Sequence, residues 1–207
     1  MLKLGVLVSG GGTNLQAIID GISSKRIKDA EISVVISNRK DAYALTRAGE
    51  NGIKALCISP GDFPDRGSYE QAMTRALNDA GAQLVVLAGF LVVLSEDFVK
   101  GYEGRMINVH PSLIPSFCGK GCYGLRVHEM ALERGVKVTG ATVHFVDAGC
   151  DTGPIIMQKA VEVREGDTPE KLQRRVMEEA EWKLLPEVID AIAHDRVRLE
   201  NGIAHVI

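Results

Sequence analysis

The chain lacks several features that would place it in a special class. Only four of its 207 residues are cysteine, and no two cysteines have the CxxC spacing, so we do not expect a zinc site. No apolar run approaches the length that crosses a membrane, and the first residues do not have the layout of a signal peptide. These absences predict a cytoplasmic protein with reduced thiols.

The chain also has no strong excess of either charge. A net charge of −3 gives no general basic character, which argues against nucleic acid or an anionic membrane as the main partner. A small anionic ligand is still compatible with this charge, because local donors can hold it. The 45% hydrophobic content is that of an ordinary globular protein with a sizeable core.

Apolar runs of strand length alternate with segments of helical periodicity from the N-terminus to about residue 109. Two longer strands follow, at about 139–146 and 155–163. A last helix is capped by Thr168 and runs to about Leu185, and the tail forms a small hairpin. This order predicts an α/β fold, a doubly wound and mainly parallel sheet with helices on both faces.

A glycine loop, 10–12, separates the first strand from the first helix. In doubly wound folds this turn presents backbone N–H groups and the positive helix end to phosphate, and Thr13 and Asn14 add side-chain donors. A dinucleotide fingerprint does not fit, because its third glycine would fall at Leu15, and no Gly-Lys-Ser/Thr follows as in a P-loop. The loop therefore favours a single phosphate, with a tight turn that binds nothing as the alternative.

A polar pair closes the strand that begins at Met106. Asn108 and His110 are two residues apart on an extended segment, so their side chains point to the same side and can aim at one small group. Pro111 ends the strand because it cannot donate to the next rung of the ladder. The pair predicts a site at the strand's carboxyl end. The alternative is that Asn108 opens a turn and His110 packs in the core.

The loop 151–154 supplies a candidate partner for His110. A carboxylate close to an imidazole favours the protonated ring, so we expect Asp151 to raise the pKa of His110 and to suit it for proton transfer near neutral pH. Asp147 is the competing carboxylate and has the position of a turn residue. His144, on the preceding strand, faces either the site or a helix. A purely turn-forming role for Asp151 is the alternative.

Five segments together resemble a known family over nearly the whole chain: Ser9–Leu15, Leu87–Phe90, Asn108–Pro115, Gly140–Val146 and Asp151–Pro154. They are similar to the glycinamide ribonucleotide formyltransferases, folate-dependent enzymes of purine synthesis. The third and fifth segments are shared by several enzymes that use 10-formyltetrahydrofolate, whereas the glycine loop points to the ribonucleotide acceptor. The resemblance implies a Rossmann-like formyltransferase fold in one domain, 1–207. Its first half, to about 105, would bind phosphate, and the rest would complete the folate and catalytic cleft.

The resemblance also implies roles for single residues. The catalytic residues would be Asn108, His110 and Asp151. The acceptor's phosphate would be held by Gly12, Thr13 and Asn14, with Glu181 near the acceptor. Folate would be bound by Arg66, Leu91, Val92, Val93, Leu94 and Asn108. Two departures bear on the cleft, since many relatives carry Arg where Val92 stands and the loop 116–125 is unusually rich in Gly and Cys.

The implied reaction is attack of the acceptor's amine on the formyl carbon of 10-formyltetrahydrofolate, the cosubstrate, without a metal. No protein nucleophile is needed, which agrees with the absence of a Gly-x-Ser-x-Gly motif. Asn108 and protonated His110 would stabilise the oxyanion, and Asp151 would assist proton transfer. The implied partners are these small molecules, with no nucleic acid or membrane and with a homodimer left open. Alternatives are another 10-formyltetrahydrofolate-dependent formyltransferase or hydrolase, and a non-catalytic protein that binds a phosphorylated metabolite.

Overall fold

A seven-stranded sheet forms the centre of the computed structural model, which describes residues 1–207. The strands are β1 (Leu2–Val8), β2 (Ala30–Ser37), β3 (Ala55–Cys57), β4 (Leu84–Leu87), β5 (Met106–His110), β6 (Val138–Phe145) and β7 (Ile155–Glu162). They lie in the order β3-β2-β1-β4-β5-β6-β7. β1 to β5 are parallel, β6 is antiparallel to β5, and β7 is antiparallel to β6. The mainly parallel sheet that the sequence predicts is confirmed.

Helices cover both faces of this sheet. They are α1 (Thr13–Ser23), α2 (Tyr43–Glu50), α3 (Arg66–Asp79), α4 (Glu96–Lys100), α5 (Leu125–Arg134), α6 (Pro169–Val176) and α7 (Trp182–Ala193). A separate hairpin of β8 (Val197–Glu200) and β9 (Ile203–Val206) ends the chain, as predicted. None of the helices combines the length and the apolar character that crossing a membrane requires.

Strand β1 shows why the strands read as continuous apolar runs. Leu4, Val6 and Val8 are buried in the larger core with residues of α1 and α7, whereas Leu7 is buried in a smaller core with residues of α3 and α4. Successive side chains of a strand point to opposite faces, so a strand covered on both faces has no polar positions. The two cores therefore stabilise the sheet from both sides.

The last helical segment is longer than the sequence predicts. The sequence predicts that it ends at about Leu185, and a proline, which is unfavourable inside a helix, follows directly. Instead α6 continues through a π-helical turn, Met177–Glu181, into α7, and Pro186 lies inside α7. Leu184, Leu185 and Pro186 are all buried. Tertiary packing of this apolar face therefore outweighs the local preference of proline.

Two loops and the end of a third strand lie together at one edge of the sheet. β1, β4 and β5 are parallel neighbours, so their carboxyl ends lie side by side. The glycine loop follows β1, the segment 88–94 follows β4, and Asn108 and His110 close β5. Ligands of open α/β sheets bind at the carboxyl edge, where the strand order reverses. In this chain that reversal lies between β1 and β4.

Candidate active site

Asp151 brings the polar pair of β5 together. Its Oδ1 lies 3.5 Å from Asn108 Nδ2, and its Oδ2 lies 3.5 Å from His110 Nδ1. Asn108 and His110 thus face one carboxylate, as their spacing of two residues predicts. The roles of these three residues stay predictions, but their side chains do meet at the carboxyl edge of the sheet.

The loop before β7 holds Asp151 in place. Asp151 has a φ of +59°, a left-handed conformation that Asp tolerates better than most residues. The Gly119 N–H donates to Asp151 Oδ2 at 2.9 Å. Asp147 closes the loop by accepting from the Gly149 N–H at 3.1 Å and from the Thr152 hydroxyl at 2.7 Å. Asp147 is therefore the turn residue that the sequence predicts, and Asp151 is the carboxylate that faces the site.

His110 is buried, and both of its ring nitrogens have neighbours. Nε2 lies 2.9 Å from the carbonyl oxygen of Phe117, which can only accept, so this contact assigns a proton to Nε2. Nδ1 then faces Asp151 with its lone pair. Burial lowers the pKa of His110 below its usual value, and the charge of Asp151 and the bond to Phe117 offset this only in part.

The expectation that His110 has a raised pKa and is protonated is therefore wrong. Asp151 acts in the predicted direction, but loss of hydration around a ring that is only 4% exposed has the larger effect on the pKa. The ring is neutral near pH 7, with an unprotonated Nδ1. A neutral imidazole in this place is suited to accept a proton rather than to act as a cation.

His144, which the sequence left between two orientations, faces the site. It lies opposite Asn108 in the antiparallel pairing of β5 with β6. Its Nε2 is 3.2 Å from Asn108 Nδ2 and 3.7 Å from Asp151 Oδ1. Its Nδ1 is 2.7 Å from the Phe145 carbonyl oxygen, which assigns the proton to Nδ1 and leaves Nε2 to accept from Asn108. Only the register between β5 and β6 places His144 at the site.

Asp151 is held in its ionised form. Burial alone would raise the pKa of this carboxyl. The neighbouring rings of His144 and His110 and the hydrogen bond from the Gly119 N–H outweigh burial and hold the pKa of Asp151 below its usual range. A fixed negative charge beside a neutral imidazole stabilises a proton that arrives on the ring.

The glycine loop has amide groups without partners. Gly12 has a left-handed φ of +72° directly before α1. The N–H groups of Gly11, Gly12 and Thr13 donate to no acceptor in the protein. Free amides at a helix N-terminus, with the positive end of the helix behind them, form a site for an anion.

Asn14 and Glu181 form a buried pair that joins this loop to the π-helical turn. Asn14 Nδ2 donates to Glu181 Oε2 at 2.7 Å. Asn14 Nδ2 is thus engaged by the protein, whereas the sequence predicts a free donor, and Asn14 Oδ1 has no hydrogen-bond partner. Burial raises the pKa of Glu181 to about 7, although the bond from Asn14 acts in the opposite direction.

The segment after β4 forms an apolar rim beside the site. Leu91 and Val93 are 55% and 74% exposed, which is unusual for large apolar side chains, whereas Val92 and Leu94 are half-buried. Exposed apolar groups next to a polar cluster are typical of a surface that receives an organic ligand.

Arg66 fixes the backbone of this rim. Its Nη2 donates to the Val93 carbonyl oxygen at 2.8 Å, and its Nε donates to Glu70 at 3.0 Å. Glu70 also accepts from the Ser95 N–H at 2.7 Å, so both ends of the segment's last turn are tied to α3. Arg66 thus lies beside the segment 91–94 with its guanidinium engaged by the protein, and its role in folate binding stays a prediction.

Comparison with known proteins points to one family. A model of the formyl transferase family matches residues 2–189. Phosphoribosylglycinamide formyltransferase from Escherichia coli is 37% identical over 98% of this chain and 92% of its own length. Glycinamide ribonucleotide transformylase 1 from Symbiobacterium toebii is 44% identical in sequence to this chain. Its crystal structure superposes with a TM-score of 0.93 over 100% of this chain and 94% of its own.

Some relatives are much longer than this chain. The trifunctional purine biosynthetic protein adenosine-3 of Drosophila pseudoobscura pseudoobscura is 43% identical over 95% of this chain, yet the match spans only 14% of that protein. The matches to relatives of similar length extend over both halves of the sheet. This chain therefore belongs to the formyl transferase family and, within it, to the phosphoribosylglycinamide formyltransferases.

Proposed function

We propose that this protein transfers the formyl group of 10-formyltetrahydrofolate to the amino group of glycinamide ribonucleotide in purine synthesis. One observation carries the proposal: Asn108, His110 and Asp151 converge at the carboxyl edge of the sheet, on the same edge as the unpaired amides of the glycine loop. The named activity of relatives that match nearly the whole chain supports this acceptor.

The N-terminal half of the single domain, to about 105, provides the acceptor's phosphate site in this proposal. The phosphate binds the backbone amides of Gly12, Thr13 and Asn14 at the start of α1, with Glu181 beside the acceptor through its bond to Asn14. Binding of this remote phosphate holds the amine close to the formyl carbon. Positioning of this kind replaces an encounter in solution and lowers the entropic part of the barrier.

The rim after β4 provides the folate side of the proposed cleft. The apolar side chains and backbone groups of Leu91, Val92, Val93 and Leu94 contact the cosubstrate, 10-formyltetrahydrofolate. Arg66 keeps this backbone in one conformation through its bond to the Val93 carbonyl oxygen. Asn108 lies between the two substrates, and the C-terminal half of the domain completes the cleft with Asp151.

The proposed reaction begins when the neutral amine attacks the formyl carbon and the carbonyl electrons move onto oxygen. Of the two contacts of Asn108 Nδ2, the 3.5 Å contact to Asp151 is the weaker, so this N–H turns to the developing oxyanion. His110 Nδ1 takes the proton that the amine loses, and Asp151 stabilises the imidazolium. His110 then returns a proton to the folate nitrogen as the bond from carbon to that nitrogen breaks.

The test is incubation with glycinamide ribonucleotide and 10-formyltetrahydrofolate, followed by the absorbance of tetrahydrofolate and by the mass of the acceptor. We expect one formylated acceptor for each tetrahydrofolate formed. Formyl loss without the acceptor would identify a hydrolase, and acceptor binding without turnover would identify a binding protein; either result would overturn the proposal. His110→Ala is expected to lose most turnover, and His205→Ala, an exposed residue on β9, is the matched control.

A further inference from the structure

Helix α2 holds the glycine loop from one side. The Ala44 N–H donates to the Gly10 carbonyl oxygen at 3.1 Å, and Arg47 Nε donates to the Gly11 carbonyl oxygen at 2.8 Å. Both carbonyls therefore point towards α2. Because C=O and N–H point in opposite directions across a planar trans peptide, the N–H groups of Gly11 and Gly12 are turned away from α2. The orientation of the anion site is thus set by α2.

The loop and α2 are in close contact at Gly12. A Cβ atom at this position would lie 2.6 Å from the Cβ of Ala44 and 3.5 Å from the Cδ of Arg47. No side chain larger than hydrogen fits there unless α2 moves. The glycine loop is therefore packed directly against the first turn of α2.

Arg47 is fixed by neutral groups alone. Besides its bond to Gly11, its Nη1 donates to Gln16 Oε1 at 3.0 Å, and its guanidinium lies 4.9 Å above the ring of Tyr43. It forms no salt bridge, so no carboxylate within 4.0 Å neutralises its charge. Its Nη2 donates to no group of the protein. The side chain is thus held at two of its nitrogens, has no acidic partner and retains Nη2 as a free donor.

A cavity of about 430 Å³ opens beside this arginine and Thr13. Its lining includes three cationic side chains and two carboxylates. The cations are Arg26, Arg47 and Lys183, and the carboxylates are Asp20 and Glu178. Asp20 already accepts from Gln16 Nε2 at 2.9 Å. An anion at the end of this cavity that Thr13 and Arg47 line would lie beside a guanidinium and the first residue of α1.

We propose that Arg47 is a positioning residue for the phosphate of the acceptor, which it also neutralises in this cavity. Its bond to the Gly11 carbonyl fixes the orientation of the peptide that carries the Gly12 N–H, and its guanidinium lines the cavity together with Thr13, the first residue of α1. Arginine suits both tasks because its planar fork holds two neutral acceptors and still offers a donor, whereas lysine offers a single charged nitrogen. The identity of the acceptor rests on the proposed function, but binding of a phosphate monoester by this cavity does not.

The test compares Arg47→Gln and Arg47→Lys with the native protein. Ribose 5-phosphate serves as probe in a calorimetric titration, and steady-state kinetics give KM for each substrate. For Arg47→Gln we expect ribose 5-phosphate to bind at least tenfold more weakly and KM for glycinamide ribonucleotide to rise by a similar factor. KM for 10-formyltetrahydrofolate and kcat should change by less than about threefold. Arg47→Lys keeps the charge without the fork and should lie between the two.

Arg39→Gln is the matched control, because Arg39 is exposed, pairs with Asp41 and lies outside the cavity. If both KM values rise together, or if ribose 5-phosphate binds the native protein and the Arg47 variants equally, the proposal is overturned. A lower Tm of Arg47→Gln with an unchanged KM for the acceptor would show a structural role only and would also overturn it. Saturable, Arg47-dependent binding of ribose 5-phosphate without formyl transfer would support the inference and reject the proposed function.

Discussion

His144 Nε2 lies 3.2 Å from Asn108 Nδ2 and accepts a hydrogen bond from it. The same nitrogen also faces Asp151, but at the longer distance of 3.5 Å. The contact with His144 is therefore the stronger one and orients the amide of Asn108. The direction of a donor matters as much as its presence, since an oxyanion forms at one position in the site. His144 is thus tied to the proposed chemistry through Asn108 rather than through contact with a substrate.

Replacement of His144 by phenylalanine tests this relationship. His144→Phe keeps a ring of similar size but removes the acceptor, so we expect the Asn108 amide to rotate and kcat to fall by about tenfold or more. Asn108→Ala removes the donor altogether and should cost about 10²–10³ in kcat. Both values come from steady-state kinetics, with KM for both substrates as the measure of intact binding. Native kcat in His144→Phe would contradict the role of this contact.

The lowered pKa of His110 predicts the pH dependence of the reaction. The ring must be neutral to accept a proton, so kcat/KM should fall as the pH decreases through the pKa of His110, at a pH below 6.5. Asp151→Asn removes the charge that favours the imidazolium, and should lower this pKa further while it slows turnover. Titration of the His110 ring by NMR in both proteins measures the shift. Identical titration curves would show that the two residues are not coupled.

Gly12→Ala is expected to destabilise the protein and to weaken acceptor binding. Gly12 has a φ of +72°, and an added Cβ would lie 2.6 Å from the Cβ of Ala44. Strain and overpacking together should lower the free energy of unfolding by about 2–3 kcal/mol. Gly11→Ala is the control, because nothing lies within 4 Å of its Cβ position. Urea unfolding of both variants checks the prediction, and equal losses would refute the close approach of α2 to the loop.

Glu181 predicts a stability that decreases with pH. Its pKa is raised from 4.5 to about 7 in the folded protein, so between these values the folded state keeps a proton that the unfolded state has lost. The contribution of this carboxyl to folding is thus lost as the pH rises through this window. Glu181→Gln keeps an acceptor for Asn14 without titrating. We expect this variant to gain relative to the native protein between pH 5 and pH 8, by at most about 3 kcal/mol.

The measurement is urea unfolding of both proteins at several pH values from 5 to 8. A difference in the free energy of unfolding that stays constant over this range would mean that Glu181 is ionised in the folded protein. Such a result would contradict the raised pKa of this buried carboxyl.

Local patterns in the sequence account for the elements and for much of the site. A period of two residues places Asn108 and His110 on one side of β5, and Pro111 ends that strand, because both effects depend only on the geometry of an extended chain. Thr168 caps α6 by accepting from the Lys171 N–H, as predicted. The glycine loop before α1 is likewise predicted from neighbouring residues alone, because Gly12 supplies the left-handed turn that precedes the helix.

The remaining features depend on contacts between distant parts of the chain. His144 reaches Asn108 only through the antiparallel register of β5 and β6, and Asn14 meets Glu181 across 167 positions. Burial lowers the pKa of His110, whereas the sequence predicts a raised pKa. The sequence shows that a carboxylate is available, but it does not show how completely the ring is removed from water. Composition and periodicity decide which residues form strands and helices; burial and register, which arise only when the sheet assembles, decide how the side chains at its edge are charged and aimed.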